Sequence, residues 1–430
     1  MSPRSGIGTM VASAATAVLV LLSPTLAQAS APLAAVVSAD PANFTPHAVD
    51  TATVDSDVTV FAQVGTIMYA GGTMGAVQNA GRTTTYTRNN MFAFDATTGA
   101  VQAFAPVFDG RVWAIVPAPD GTLIVGGEFT RVNGVARRGL AKIDPVTGAL
   151  RTGFVPAGMT SGGVYDARMV NGRLIVSGSF GRRLRALNPA TGADTNYISQ
   201  LVTGTIGGTN AGPTRVYRFA VDPAGTQLVG IGNFTSVGGV ARRQAFKLNL
   251  GATATVSSWY DPNFDRQCSS ASFPAYLRDV DFAPDGSAFG FVATGYVANS
   301  GDLGKTVCDA AALYAADDSP SASPRWINYT GGDTLHSLAI TGETVYVGGH
   351  QRWLDNPYGL NDAGPGAKSR AGIGAISAAT GKALDWNPGK TRGIGAKALY
   401  PVSGRGLWVG SDGRMFGGEV HDAVAFCPLP

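Results

Sequence analysis

Short runs in which apolar and polar residues alternate recur along the whole chain, each bounded by Gly, Pro, Asn or Asp. Such alternation marks a half-buried β-strand, because successive side chains of a strand point to opposite faces. The copy beginning "RVWAIVPAPDGTLIVGGEF" at Arg111 and continuing "TRVNGVARRGLAKIDPVTGALRTGFVP" serves as a template. It holds an alternating run, an Asp-Gly turn, a β-branched run ending in Gly126-Gly127, a loop, a third run, an Asp-Pro-x-Thr-Gly turn and a short fourth run closing on Phe154-x-Pro156. Four short strands joined by tight turns predict one antiparallel meander.

The meander repeats. "FTRVNGVARR" from Phe129 and "FTSVGGVARR" from Phe234 agree at eight of ten positions. The end of the second run recurs as Gly72, Gly127, Gly178, Gly232, Thr294, Gly349 and Ser411, at separations of 55, 51, 54, 62, 55 and 62 residues. The turn after the third run recurs from Asp95, Asp144, Asn188 and Ser377. Its Asp or Asn can accept from amides two residues on, while its Gly takes the left-handed conformation, so these positions are structural. The fourth run carries an aromatic and then a proline: Phe104-Pro106, Phe154-Pro156, Trp259-Pro262 and Trp386-Pro388.

A single such sheet cannot bury both faces, and radial packing of several around an axis solves this. The expected fold is therefore all-β, a seven-bladed β-propeller of four-stranded antiparallel blades. The last copy stops at "AVAFCPLP", where its fourth strand should begin, and "ADPANFTP" from Ala39 has the form of the missing piece, with Asp40-Pro41 and Phe44-x-Pro46. The N-terminal strand from Pro41 to Pro46 is expected to complete the last blade and protect the edge strands. The competing reading makes it an unstructured linker.

Composition narrows the class. With 45% apolar and 14% charged residues the chain is globular, and 58 Gly with 24 Pro fit many tight turns. The net charge of +3 exerts no global pull on nucleic acid or anionic membrane. Arg4, the apolar stretch "MVASAATAVLVLL" from Met10 and Ala27-Gln28-Ala29 read as an export signal over residues 1–29, leaving 30–430 as one propeller domain. The apolar stretch is short for a bilayer, and no later segment could span one. A secreted or cell-wall-associated monomer is expected.

Export makes disulfides persistent. Cys268 and Cys308 flank the strand-like run "YLRDVDFAPDGSAFGFVATG" and are the expected bridge, with Cys427 a buried apolar residue in "AVAFCPL". No pair has Cys-x-x-Cys spacing and His47, His336, His350 and His421 are scattered, so neither a metal site nor a cofactor is expected.

The pattern Gly-Gly-x-Phe-(Thr)-x-Val-x-Gly-x-x-Arg, then Leu-Ala-x-x-Asp-x-x-Thr-Gly, then Phe-x-Pro resembles the delta-60 repeat propellers of secreted bacterial proteins, many from actinomycetes. It covers the chain from about Val58 to Leu429, with the full motif in the second and fourth copies. The resemblance implies a propeller and export, and brings no catalytic residues. "AISAATGKALDW" from Ala375 and "AKIDPVTGALRTGF" from Ala141 also look like the docking motif of eight-bladed pyrroloquinoline quinone dehydrogenases, but the aromatic is displaced and no adjacent cysteine pair is present.

Two features invite chemistry. Arg137-Arg138, Arg182-Arg183 and Arg242-Arg243 could present guanidinium forks to acidic groups, although strand alternation sends the members of a pair to opposite faces and favours a packing role. The sixth copy carries a long loop, "GGHQRWLDNPYGLNDAGPGAKSR" from Gly348, whose His350, Arg352, Trp353, Asp355 and Tyr358 form the expected ligand-binding set. No Gly-x-Ser-x-Gly elbow occurs, so the leading expectation is a non-enzymatic binding module for an extracellular glycan or protein. The alternative is a glycan-acting hydrolase or lyase, which would need two carboxylates in one pocket.

Overall fold

Each copy of the alternating pattern folds into an antiparallel sheet whose strands follow chain order. In the computed structural model, described for residues 31–430 apart from 209–210, 270–271 and 298, the main sheets begin with strands Asp57–Val64, Val112–Pro117, Val164–Val170, Arg215–Val221, Leu277–Phe282, Leu335–Ile340 and Ala396–Val402. The expected export signal lies outside the described residues. Among the described residues there is no α-helix, only 3-10 turns at Pro262–Asp265 and Ser300–Asp302, and no helix is long and apolar enough to cross a membrane.

The expectation of four full strands in every sheet needs correction. Only the fourth and fifth sheets have a fourth strand, Ala254–Val256 and Trp326–Tyr329. In the first, second, third and sixth sheets a single bridge marks that place, Phe94 to Val101, Ile143 to Leu150, Leu187 to Asp194 and Ile376 to Ala383. Most of these runs head within a few residues into an aromatic-x-Pro segment, and proline cannot donate to a ladder.

The cores lie between sheets. Seven clusters of buried side chains each combine residues from two consecutive sheets, and one of them joins Phe61, Phe92 and Phe94 of the first sheet to Trp408 and Phe426 of the last. Trp408 is 1% exposed, with ring centroids 5.1 Å from Phe94 and 4.6 Å from Phe426. The opening strands of successive sheets pack side by side, and that of the first also packs on that of the last.

The N-terminal segment runs along the outer edge of the last sheet. The amides of Ser38, Ala42 and Ala48 donate to the carbonyls of Pro428, Phe426 and Asp422 at 2.7, 2.8 and 3.0 Å. Its short strand His47–Val49 then pairs with Ala76–Gln78 of the first copy. Cys268 and Cys308 form a disulfide, and Cys427 is free and buried.

The turns behave as their residue types require. Asp95 Oδ1 accepts from the Thr97 and Thr98 amides at 2.9 and 2.8 Å, and Asp144 and Asn188 repeat the pattern. Those amide bonds hold the Asp95 and Asp144 carboxyls below the usual carboxylate range.

Candidate binding site

All seven opening strands break register with their partner at the same place, leaving one unpaired residue: Thr59, Trp113, Tyr165, Tyr217, Arg278, His336 and Lys397. A β-bulge of this kind re-aims a side chain. Opposite each bulge stands the end of the second strand: Gly72, Gly127, Gly178, Gly232, Ala293, Gly349 and Ser411. In the fifth sheet this is one residue before the expected Thr294. A Cβ at Gly72, Gly127, Gly178, Gly232 or Gly349 would collide with the carbonyl preceding the bulge pair, which explains the periodic glycine.

Six of the seven bulged side chains line one cavity of about 420 Å³, together with Arg111, Arg215, Arg218, Glu128 and Phe273. A second cavity of about 630 Å³, lined by residues of all seven opening strands, shares Trp113, Arg218 and Lys397 with the first.

The first cavity is cationic and aromatic. Arg111 and Arg218 lie over the Trp113 ring at 4.8 and 5.6 Å, and Arg215 and Arg278 lie over Tyr217 at 4.7 and 5.9 Å. Glu128 accepts from Trp113 Nε1 at 3.1 Å and from the Tyr165 hydroxyl at 3.4 Å, so it fixes the two rings. Asp57 accepts from Arg111 at 2.9 Å and Lys397 at 2.7 Å. Burial, reinforced by the Arg278 and Lys397 charges, pushes the His336 imidazole down to about 3.

Carboxylates lining the second cavity serve the scaffold. Asp279 Oδ2 and Asp281 Oδ2 each accept an amide of the sixth sheet's opening strand, Leu338 and Ile340, at 2.9 Å, and Asp166 accepts from the Phe219 amide at 3.1 Å. Burial raises the Asp279 carboxyl to about 7, against the pull of Arg218.

The loop of the sixth copy is anchored at the rim where His336 sits. Arg352 donates to both Asp333 oxygens, from Nε at 2.9 Å and Nη2 at 3.1 Å, and Arg392 donates to the same carboxylate at 2.7 Å and to the His350 carbonyl at 2.6 Å. His350 is near enough to His336 to depress its pKa further. Asp355 is committed to scaffold contacts with the Asn328 amide group at 2.6 Å and the Ala383 amide at 3.1 Å. Trp353 is half-buried under Arg352, whose guanidinium is 4.5 Å from the ring centre, and Tyr358 is 72% exposed. The five expected residues thus divide: His350 and Arg352 share one network, Trp353 stacks on it, and Asp355 and Tyr358 stand outside it.

Of the arginines before the third strands, Arg88, Arg242 and Arg370 are buried, Arg137 is half-buried and Arg138 is exposed. Arg242 Nη2 donates to the Ser257 carbonyl at 2.8 Å, and Arg88, Arg137 and Arg370 reach Gln102, Thr152 and Leu384 in the same way. The bulged column carries no constant residue type, whereas the second-strand column repeats glycine, so the sequence shows the second and hides the first. Reading Trp113, Tyr165, Tyr217, Arg278, His336 and Lys397 as one column would have exposed it.

Residues 118–154 match a family described as "Domain of unknown function (DUF5122) beta-propeller". The fold is similar to the extracellular domain of a putative one component system from B. thetaiotaomicron, at 11% identity and TM-score 0.51, over 89% of this chain and 41% of that one. The WD40 beta propeller domain of Doa1 aligns over 88% of this chain and 95% of that one, at 10% identity and TM-score 0.42. No curated protein matches the chain. The chain contains a β-propeller repeat and has a propeller-like all-β fold.

Proposed function

We propose that the chain is a secreted seven-bladed β-propeller, closed by its N-terminal segment, that works as a non-enzymatic binding module whose ligand enters the mouth ringed by the bulged residues. Support for the ring comes from the seven inter-sheet cores, one of which joins last sheet to first, and from Asp57 tying Arg111 of the second sheet to Lys397 of the last. The export signature of the sequence and the Cys268–Cys308 bridge support secretion.

The observation that carries the binding reading is the convergence of six bulged side chains from six sheets on one cavity. A stack of sheets does not need Trp, Tyr, Arg, His and Lys at its innermost positions, and a small-molecule site does. Among the described residues Glu128 is the one carboxylate lining that cavity, whereas glycoside hydrolysis works with two; this favours the binding reading. The sixth-copy loop, through Trp353 stacked on Arg352, is proposed as a second contact, on the side of the cavity where His350 nears His336.

The test is retention on immobilised cell-wall and glycan preparations, comparing the wild-type protein with a Trp113→Ala, Tyr217→Ala double variant and with Trp353→Ala. Loss with the double variant and partial loss with Trp353→Ala are expected. Equal retention of a folded double variant would remove the mouth as the site.

A further inference from the structure

We infer that the channel mouth is built for a carboxylate-bearing sugar of the uronate class, its carboxylate held by Arg215, Arg218 and Arg278 and its ring laid along Trp113, Tyr217 and Phe273. The inference rests on the binding reading above and specifies its ligand.

Five cationic side chains, Arg111, Arg215, Arg218, Arg278 and Lys397, line this cavity. Asp57 neutralises part of the charge by pairing with Arg111 and Lys397. Among the described residues, no ion pair takes up Arg215, Arg218 or Arg278. Their protein contacts are weaker. Arg218 donates to the Tyr165 carbonyl at 2.5 Å, and Arg278 donates to the Ala275 and Leu277 carbonyls at 3.0 and 3.3 Å. Arg215 Nε is buried without an acceptor, while its guanidinium hydrogen-bonds to the Tyr165 and Tyr217 side chains, neutral groups that leave its charge uncompensated.

Three guanidinium groups gathered in a half-buried pocket repel one another, and the aromatic faces beneath them, with Asp279 near Arg218 and Asp309 near Arg278, both carboxyls driven toward their neutral forms by burial, offset only part of that cost. An anion removes the repulsion, and a guanidinium fork matches the planar geometry of a carboxylate. The walls then choose among anions. Phe273, Pro274 and Ala275 present apolar surface beside Trp113 and Tyr217, which suits the C–H faces of a pyranose better than a compact, strongly hydrated phosphate. Glu128, at the rim, can accept from sugar hydroxyls. The cavity of about 420 Å³ falls within the range of small-ligand sites.

Titration calorimetry of the mature protein tests this with trigalacturonate, its carboxyl-reduced neutral counterpart, inorganic phosphate and a poly-glutamate peptide, in low and in physiological salt. Trigalacturonate should bind at least about tenfold more tightly than the neutral trimer and should weaken as salt rises. Arg215→Gln should weaken it by about tenfold or more, and Arg215→Lys, which keeps the charge and loses the fork, by an intermediate factor. Unchanged melting temperatures verify that these variants fold; if Arg215→Gln does not, Arg215→Lys and the salt dependence decide. Equal binding of acidic and neutral trimers, unaffected by Arg215→Gln, overturns the uronate inference while leaving the mouth as a binding site. Phosphate or the peptide binding as tightly as trigalacturonate, or trigalacturonate failing to bind, also overturns it.

Discussion

Gly99, in the turn after the third strand of the first sheet, lies so close to Phe44 of the N-terminal segment that a Cβ on it would overlap the Phe44 carbonyl oxygen. The same turn glycine in other sheets meets the fourth-strand segment of the sheet before it: Gly148 against Pro106, Gly192 against Val155 and Pro156, Gly381 against Trp326. Phe44 therefore occupies, relative to the first sheet, the place that a fourth-strand segment occupies elsewhere.

Gly99→Ala should consequently cost more than backbone strain alone. Gly121 has a comparable φ of +76°, against +71° for Gly99, and a Cβ there meets nothing within 4 Å. Gly121→Ala should cost about 1 kcal/mol, and Gly99→Ala roughly 2 kcal/mol more, because the N-terminal segment must shift. Denaturant melts of the two variants side by side check this; equal losses would show that the segment does not press on the turn.

The Asp333 carboxylate, 3% exposed, holds Arg352 and Arg392 together beneath the long loop. Asp333→Ala should leave two guanidinium groups without their acceptor and cost on the order of 2–3 kcal/mol. Limited proteolysis should then cut between 350 and 370 faster than in the wild type. Unchanged cleavage would mean that the loop holds without this latch.

Reduction should weaken the fifth sheet in particular. The Cys268–Cys308 bridge closes a separation of 40 residues, for which loop-closure entropy gives about 4 kcal/mol. A Cys268→Ser, Cys308→Ser variant should melt lower by a matching amount and lose all sensitivity to reductant. Cys427, fully buried with its thiol pushed up by burial, should resist alkylation in the folded protein.

Acid should loosen the N-terminal segment through His47. Its Nδ1 accepts from the Asp422 amide at 3.2 Å and its Nε2 faces the Ala80 carbonyl at 3.3 Å, an arrangement for the neutral ring. Burial first, and then the nearby Arg82 and His421 charges, lower its pKa from 6.5 to about 4, although the Asp422 carboxylate at 3.5 Å would partly receive a charged ring. The unfolded chain takes up the proton first, so stability present above pH 6.5 falls as pH drops toward 4. The loss is on the order of 3 kcal/mol at the bottom of that window. Buried Asp279 and Asp309, with pKa raised to about 7 and 8, act in the opposite direction as pH rises. Between pH 7 and pH 4 the wild type should lose about 3 kcal/mol more than His47→Gln, whose residue 47 does not titrate; melting curves that fall in parallel would remove His47 as the cause.

Local chemistry was legible from the chain alone. The Asp-x-x-Thr-Gly turns, the alternating runs and the pairing of Cys268 with Cys308 depend on neighbours in sequence or on one sheet, and residue type suffices to fix them. The repeat glycines were visible as a period, but their cause was not, since Gly127 is required by a carbonyl of Arg111 brought across the sheet by a bulge.

The candidate site divides along the same line. Loop length pointed to His350, Arg352, Trp353, Asp355 and Tyr358, yet sequence could not reveal that Asp355 serves Asn328 and Ala383, or that Arg352 serves Asp333. Strand alternation predicts which side chains face a sheet's two sides; a bulge adds one residue and points that residue along neither. Trp113, Tyr217, Arg278 and Lys397 lie far apart in the chain and meet only because separate sheets pack edge to edge around one cavity. The sequence by itself determined the first three runs of each copy, the turns and the recurrence of the meander, because those follow from short-range pattern, while the fourth strand it led one to expect forms in two sheets. Which residues face one another across the cavity was decided by tertiary packing, because its charge and shape are sums over several sheets and belong to no single stretch of chain.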